Sequence, residues 1–349
     1  TTKIININQH SILPCSRDEM NKLGWDQADI IIVSGDAYVD HPSFGTAVMA
    51  RLGEYCGLKV AVLPQPNWRD DLRDFKKLGQ PKYFFGVTAG CMDSMINHYT
   101  AQKRKRSDDA YSPGGKAGFR PDYAVSVYSK ILKSIFPNTP IIIGGIEASL
   151  RRFTHYDYWS NKLMPSILIE SKADLLLYGM AERSFIELIN NLKAGRNFNE
   201  ITKIPQTAYL ADTKQITPSK DNSDVFLPSF KSCINSKVQF AKQYKIIEEQ
   251  SSKMKSDRII EPNGDVSIVV NPPYLPPTEK ETDLSFNLPY TYLPHPKYLK
   301  KEAIPAFEMI KNSVTIHRGC FGACSFCAIS SHQGKFISSR SEKSILDEV

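Results

Sequence analysis

Apolar positions between residues 26 and 197 alternate between short continuous runs and longer stretches with helical spacing. The run Ala28-Asp-Ile-Ile-Ile-Val-Ser-Gly35 is rich in β-branched residues and is typical of a strand buried on both faces. The same pattern predicts strands at residues 28–35, 58–63, 83–88, 140–145 and 174–178, and helices at residues 43–55, 122–136 and 181–193. Strands that alternate with helices favour βαβ crossovers, so we predict an α/β fold with a doubly wound parallel sheet.

Glycines follow the carboxyl ends of four of these predicted strands, at Gly35, Gly90, Gly144-Gly145 and Gly179. Ligands of doubly wound sheets bind at that edge, where small residues let a ligand approach the backbone and helix N-termini favour anions. Glycine also simply ends strands. The pattern alone therefore leaves two alternatives open, a ligand or interface role and plain strand termination.

The regular alternation fades between residues 198 and 305. Residues 230–254 predict one helix, and residues 258–270 predict a hairpin that turns at Asn263-Gly264. The prolines of residues 271–277 predict a stiff, extended connector. We interpret residues 198–305 as an irregular bridge that packs one domain against the next.

Three cysteines with the spacing C-x3-C-x2-C follow a predicted strand at residues 313–317: Cys320, Cys324 and Cys327. Three thiolates in one loop can bind a single soft metal centre and leave one coordination position open. Gly319 and Gly322 let the loop curl around such a centre. Two alternatives are a zinc site with His317 or His332 as fourth ligand, and three ordinary free thiols. A helix is predicted from residue 341 onward.

The spacing of these cysteines, with Phe326 before the third, resembles the cluster loop of the radical S-adenosylmethionine (SAM) superfamily. The resemblance implies that Cys320, Cys324 and Cys327 bind a [4Fe-4S] cluster and that Phe326 lies near the adenine of SAM. It implies reductive cleavage of SAM to a 5′-deoxyadenosyl radical, which abstracts hydrogen from an unidentified substrate. A small flavodoxin or ferredoxin would supply the electron. In such enzymes the cofactor performs the chemistry and the protein binds, orients and shields it.

The N-terminal motifs resemble a more specific group. Residues 34–45, 114–122 and 144–160 are similar to the YgiQ-like family of radical SAM proteins, whose N-terminal domain is cobalamin-binding-like. The cobalamin loop of such domains has the pattern Asp-x-His-x-x-Gly. Here Asp40 and His41 are adjacent and Gly45 follows four residues later, so we do not expect His41 to coordinate cobalt. Cobalamin is the less favoured cofactor.

Three regions follow from these patterns: a Rossmann-like domain at residues 1–197, the bridge at 198–305, and the start of a radical SAM core at 306–349. Only the first strand–helix unit of a radical SAM β/α barrel is predicted within the sequence. We therefore expect the barrel to be truncated and the 349 residues alone to be incomplete as a radical generator. The sequence does not identify a catalytic acid or base.

The amino-acid composition limits the class of protein and its expected location. Apolar residues make up 41% and charged residues 23%, as in ordinary globular proteins, and we expect no membrane association because no apolar run approaches ~20 residues. The first residues lack the pattern of a signal peptide, and the 7 cysteines do not form a disulfide framework. A reducing cytoplasm is the expected location.

The net charge of +7 permits an acidic partner without requiring one. The basic run Lys103-Arg-Lys-Arg106 is a candidate RNA contact, against the plainer interpretation of a solvated charged surface. The alternative function is therefore a non-catalytic iron–sulfur or zinc protein whose α/β domain binds a ligand or RNA.

Overall fold

A computed structural model describes residues 12–216, 223–322 and 324–349. Part of the predicted N-terminal domain, residues 1–11, lies outside the described residues. The strands are β1 Ile30–Ser34, β2 Val39–Asp40, β3 Val60–Pro64, β4 Phe84–Thr88, β5 Ile141–Ile143, β6 His155–Asp157, β7 Lys162–Met164, β8 Leu175–Leu177, β9 Thr207–Asp212, β10 Asp224–Phe226, β11 Arg258–Asn263, β12 Val266–Val270, β13 Leu293–Pro294, β14 His317–Arg318 and β15 Ser338–Ser339.

The helices are α1 Arg17–Lys22, α2 Gly45–Tyr55, α3 Arg73–Lys76, α4 Ser94–His98, α5 Ala124–Ile135, α6 Gly145–Leu150, α7 Ile167–Ser171, α8 Glu182–Lys193, α9 Phe230–Asn235, α10 Lys237–Ser251, α11 Glu279–Phe286, α12 Pro305–Ile310, α13 Ile329–Gln333 and α14 Glu342–Glu348. Short 3₁₀ turns lie at Pro113–Gly115, Phe198–Glu200, Thr213–Gln215 and Pro296–Tyr298. Among the described residues, no helix is long and apolar enough to cross a membrane.

One nine-stranded sheet organises the fold, in the order β10-β11-β12-β9-β8-β5-β4-β1-β3. The five strands from β3 to β8 are parallel, and Ile30 of β1 lies between Val60 of β3 and Phe84 of β4. The chain order therefore reverses between β1 and β4, the place where doubly wound sheets open a crevice for ligands. The prediction of an α/β fold with a doubly wound parallel sheet is confirmed.

The β-branched residues of β1 explain why this strand is central. Ile30 and Ile32 belong to the apolar cluster that contains α2 and α8. Ile31 and Val33 belong to the cluster on the other face, which contains α5 and α7. Because successive side chains of a strand point to opposite faces, a continuous apolar run buries both. Each such side chain contributes roughly 1.5–3 kcal/mol when fully buried.

Residues 198–305 are more regular than their sequence indicated, because β9 to β12 continue the sheet beyond β8. The pairs β8–β9, β9–β12 and β12–β11 are antiparallel. The predicted hairpin is confirmed, with Asn263 paired to Val266 and Gly264 at φ +69°. The prediction of one helix over residues 230–254 is wrong, because α9 and α10 are separated at Ser236. Ser236 is extended, with φ −151°, and its hydroxyl caps α10 by accepting from the Gln239 amide. The proposed domain boundaries stay predictions.

The predicted strand at residues 313–317 is wrong in extent. The strand β14 comprises His317–Arg318 and pairs antiparallel with β15. Its position is held by Arg340, whose backbone amide donates to the Ile316 carbonyl at 2.9 Å and whose guanidinium donates to the Thr315 carbonyl at 2.9 Å. The predicted C-terminal helix is confirmed as α14, capped by the hydroxyl of Ser341.

Candidate cofactor site at the cysteine loop

The loop after β14 presents the three cysteines in one short segment. Cys320 and Cys327 are half-buried and Cys324 is exposed. A Cβ placed on Gly322 would lie 3.4 Å from the Cys320 sulfur and 3.6 Å from the Cys324 sulfur. The Cys327 amide donates to the Cys324 carbonyl at 3.0 Å and tightens the turn before the third thiol. The sulfurs of Cys320 and Cys324 therefore both lie close to Gly322.

The donor set of this loop fits an iron–sulfur cluster, because cysteine thiolates are the ligands that hold such clusters. Three thiols would leave one iron of a four-iron cluster without a protein ligand. Within residues 12–216, 223–322 and 324–349, no three His, Cys, Asp or Glu side chains already converge as a metal-binding group. The assignment of Cys320, Cys324 and Cys327 as cluster ligands therefore rests on residue type, spacing and the approach of two sulfurs to Gly322.

Gly319 ties the loop to the segment that returns to the sheet edge. Its φ is +89°, and a Cβ there would overlap the carbonyl oxygen of Phe336. Its amide donates to the Gln333 side chain at 3.1 Å, and the Cys320 amide donates to the Gly334 carbonyl at 3.1 Å. Both the backbone conformation and the close approach therefore require glycine at position 319.

Phe326, the residue predicted to lie near the adenine of SAM, has 90% of its surface exposed. Phe321 on the same loop is 78% exposed. The role of Phe326 beside the adenine stays a prediction.

The two histidines considered as zinc ligands occupy different environments. His317 is exposed. His332 lies in α13, and burial, followed by the charges of Arg152 and Arg318, lowers its pKa to about 4. In the described part of the chain neither histidine joins the cysteines in a four-ligand set.

A cavity of about 480 Å³ lies between the carboxyl edge of the parallel sheet and the segments that flank the cysteine loop. The sheet side includes Gly90, Gly144, Gly145 and Gly179, four of the strand-end glycines that the sequence singled out. The opposite side includes Thr315, His317, Arg318, Ile329 and His332. Gly35 is not part of the cavity wall, because it packs directly on the Ala89 carbonyl.

An ion pair joins the two sides of this cavity. The guanidinium of Arg318, two residues before Cys320, donates to the Glu182 carboxylate at the start of α8. The Arg318 guanidinium also lies 4.6 Å from the ring centroid of Phe286, and that of Arg340 lies 4.3 Å from the same ring. Glu182 and Arg318 are separated by 136 positions, and the spacing of residues in the sequence does not indicate that they pair.

Several motif residues that resembled the YgiQ-like family form buried ion pairs instead of lining the cavity. The Arg120 guanidinium lies 2.9 Å from Asp36 and 3.1 Å from Asp109. Burial nevertheless raises the pKa of Asp36. Arg151 pairs with Asp93 in the same way. These pairs fix the loops at the carboxyl edge, and this part of the motifs has a structural role.

Asp40 and His41, the residues compared with a cobalamin loop, have protein partners. Asp40 pairs with Arg51 and accepts from the Thr291 amide at 2.9 Å. The His41 Nδ1 accepts from the Ser43 amide at 3.1 Å, and its ring packs edge-on against Tyr292. His41 is not among the residues that line the 480 Å³ cavity.

The basic run packs in part against an aromatic motif. The Lys103 ammonium lies 4.6 Å from the Tyr158 ring centroid and donates to the Trp159 carbonyl at 3.3 Å. Arg104, Lys105 and Arg106 are exposed. Contact with nucleic acid stays a prediction.

Comparison with known families now defines the class of protein. The family model described as "Radical SAM N-terminal" matches residues 12–313, and the chain therefore belongs to this radical SAM family.

Curated relatives named UPF0313 protein are similar to nearly the whole of this chain. The one from Porphyromonas gingivalis is 57% identical over 337 residues, covering 97% of this chain and 53% of the relative. The one from Bacteroides thetaiotaomicron is 55% identical over 348 residues, covering 97% and 56%. The chain thus spans about half the length of these curated relatives. The resemblance to the YgiQ-like family of radical SAM proteins is confirmed.

A solved structure of the radical S-adenosylmethionine methyltransferase TsrM from Kitasatospora setae, with tryptophan and a SAM analog bound, is similar with a TM-score of 0.48. Sequence identity is 16%, and the match covers 91% of this chain and 44% of that one. A TsrM structure with cobalamin and a [4Fe-4S] cluster bound gives a TM-score of 0.46. Similarity at this level does not assign a ligand.

Proposed function

We propose that this chain provides the cluster-binding loop of a radical SAM enzyme, with Cys320, Cys324 and Cys327 as ligands of a [4Fe-4S] cluster. The observation that carries the proposal is the three-thiol loop beside the cavity at the carboxyl edge of the sheet, in a member of a radical SAM family. When bound, the cluster and SAM supply reductive cleavage of SAM to a 5′-deoxyadenosyl radical, which acts on a substrate that is still to be identified.

The residues of the chain have three tasks in this proposal. Gly319 supplies the positive φ with which the loop begins, and Gly322 lies close to the sulfurs of Cys320 and Cys324. Arg318, through Glu182, holds the start of the loop against the sheet. The exposed Phe326 is available to pack on the adenine of SAM.

Delivery of an electron to the cluster requires that part of the cysteine loop be accessible to a reductase. Cys324 is exposed and Phe321 stands out from the same loop, so we propose that a small reductase such as a flavodoxin or ferredoxin docks nearby, in the cytoplasm. Cobalamin is left outside the proposal, because His41 is engaged with Ser43 and Tyr292 away from the cavity wall.

The test is reductive SAM cleavage by the whole protein, reconstituted without oxygen and supplied with a chemical reductant. We expect 5′-deoxyadenosine from the wild type and from a Cys56→Ala control, since Cys56 lies at the end of α2 and outside the loop. We expect none from Cys324→Ala. A protein that binds metal yet never forms 5′-deoxyadenosine would favour the non-catalytic iron–sulfur or zinc alternative.

A further inference from the structure

Arg152 is a half-buried arginine whose charge the protein does not neutralise. Its guanidinium stacks 4.8 Å from the ring centroid of Tyr178 and 5.1 Å from that of Phe153. Its Nη1 donates to the Ser149 carbonyl at 2.6 Å. Its Nε has no hydrogen-bond partner among the described residues. Burial lowers the pKa of this guanidinium, which shows that the site disfavours an unpaired positive charge.

The other buried and half-buried arginines of the described residues behave differently. Each of them pairs with a carboxylate: Arg51, Arg120, Arg151, Arg183, Arg258, Arg318 and Arg340. Arg152 has no carboxylate within 4.0 Å in the part of the chain that the structure describes. A desolvated charge without a partner is costly, so its retention at the wall of a cavity indicates an external anion.

The cavity that Arg152 lines lies next to the cavity beside the cysteine loop. It has a volume of about 190 Å³, and Arg152, Tyr178 and His332 contribute to its wall. Gly179, Arg318 and His332 line both this cavity and the 480 Å³ cavity beside the cysteine loop. The two spaces are therefore neighbours that share a wall.

His332 is the second unpaired polar group of this wall. Its Nδ1 is buried and has no hydrogen-bond partner within the described residues. Its carbonyl lies close to Gly179, where a Cβ would approach it to 3.0 Å. Because the pKa of His332 is lowered to about 4, the imidazole is neutral near pH 7 and offers a hydrogen bond without a second charge.

We propose that Arg152 and His332 bind an anionic group, a carboxylate or a phosphate, of the substrate of the proposed radical SAM reaction. A guanidinium suits these groups because it donates two parallel hydrogen bonds to either one. Apolar residues such as Ile247, Val270 and Pro273 also line the smaller cavity and suit a nonpolar part of the same molecule. The inference rests on the proposed function only for the identity of the ligand as substrate.

The experiment measures anion binding to the whole protein without its cluster. Thermal unfolding is followed while inorganic phosphate or acetate is titrated at constant ionic strength, since a ligand of the folded state raises Tm. We expect saturable stabilisation of the wild type by at least one of the two anions, and the stronger one identifies the group. In Arg152→Gln the affinity should fall about tenfold to hundredfold, as for a lost hydrogen bond to a charged group.

Arg183→Gln is the matched control, because Arg183 lines the same cavity but pairs with Glu281. We expect its anion affinity to stay within about twofold of the wild type, since the anion is held by Arg152. Arg152→Met is the second variant. It removes an unpaired charge and keeps the bulk of the side chain, so its Tm in anion-free buffer should not fall. If Arg152→Met has a lower Tm than the wild type, and the wild type binds neither phosphate nor acetate, Arg152 is purely structural and the proposal is overturned.

S-adenosylhomocysteine distinguishes a cofactor carboxylate from a substrate anion. If it stabilises the wild type and not Arg152→Gln, the anion site belongs to the cofactor and the substrate assignment is wrong. Equal stabilisation of both proteins supports the assignment. Because these titrations need no cluster, their failure leaves the proposed SAM cleavage untouched, and absence of SAM cleavage leaves the anion site standing.

Discussion

The carboxylate of Glu182 accepts a hydrogen bond from the guanidinium of Arg318, and this ion pair joins the α/β sheet to the cysteine loop. Glu182 begins the helix that follows β8, whereas Arg318 precedes Cys320 by two residues. Side-chain exposures of 14% and 15% show that water screens the pair only weakly. The loop therefore takes its position from the sheet edge as well as from its own short strand pair.

Glu182→Gln tests this coupling. The substitution leaves Arg318 partly desolvated without a counter-charge, which should destabilise the segment by about 1–3 kcal/mol, less than for a fully buried pair. Amide hydrogen exchange at Gly319 and Cys320, whose amides donate to Gln333 and Gly334, should become about tenfold faster or more.

Glu308→Gln is the control for that measurement, because Glu308 forms an exposed ion pair with Lys311. Such pairs contribute about 0–1 kcal/mol, so exchange at the loop should not change. Unchanged exchange in Glu182→Gln as well would show that the loop is positioned without the ion pair.

Gly319→Ala tests whether the shape of the loop is needed for metal uptake. A methyl group at this position overlaps the Phe336 carbonyl and forces a positive φ on alanine, so the reconstituted protein should lose most of its iron. Gly334→Ala separates the two effects, because Gly334 has φ +97° with no atom within 4 Å of an added Cβ. It should lose some stability, about 1 kcal/mol, while retaining iron. Equal iron content in the wild type, Gly319→Ala and Gly334→Ala would show that metal uptake does not depend on the conformation at Gly319.

The parallel sheet was predictable because its signal is local. The run around Ile30 to Val33 encodes a doubly buried strand in consecutive residues, and the glycines after four of the five predicted strands mark the carboxyl edge. The sequence signal for the hairpin, the turn at Asn263-Gly264, is equally local. The break at Ser236 was missed because the apolar spacing continues across it, while one serine in an extended conformation ends one helix and caps the next.

The site was only partly predictable. The cysteine spacing by itself indicates a cluster loop. The contact of Arg318 with Glu182 spans 136 positions, and so distant a contact produces no periodic pattern in the sequence. The lack of a carboxylate partner for Arg152 is even harder to predict from the sequence, because it is the absence of a contact and not a contact. In the sequence, Arg151 and Arg152 look alike, and only the fold gives Asp93 to one of them.

Glu261 predicts an unusual pH dependence of stability. It is fully buried, and burial raises its pKa to about 7 despite hydrogen bonds from Thr154. The folded state thus holds this proton more tightly than the unfolded state, so its contribution is fully present below about pH 4.5 and is lost as pH rises through 7. The loss amounts to roughly 3 kcal/mol for a shift of this size. Glu261→Gln should therefore gain stability over the wild type above pH 7 and not below pH 4.5, as measured by urea unfolding.

Glu281→Gln should behave in the opposite way. The Thr278 amide donates to the Glu281 carboxylate and lowers its pKa, so the contribution of Glu281 is present at neutral pH and is lost as pH falls through the folded-state pKa. This variant should be the less stable one near pH 7, with the difference vanishing in acid. If the difference in the free energy of unfolding between wild type and Glu261→Gln is the same at every pH, the raised pKa of Glu261 is contradicted.

Metal and sulfide content tests the central claim most directly. The whole protein, reconstituted without oxygen, is compared with a variant in which Cys320, Cys324 and Cys327 are alanine and with a Cys56→Ala control. Ligation by these thiols predicts about four irons and four sulfides per chain in wild type and control, and neither in the triple variant. A colourless wild type that carries one zinc, or a triple variant that keeps its iron, would contradict the account.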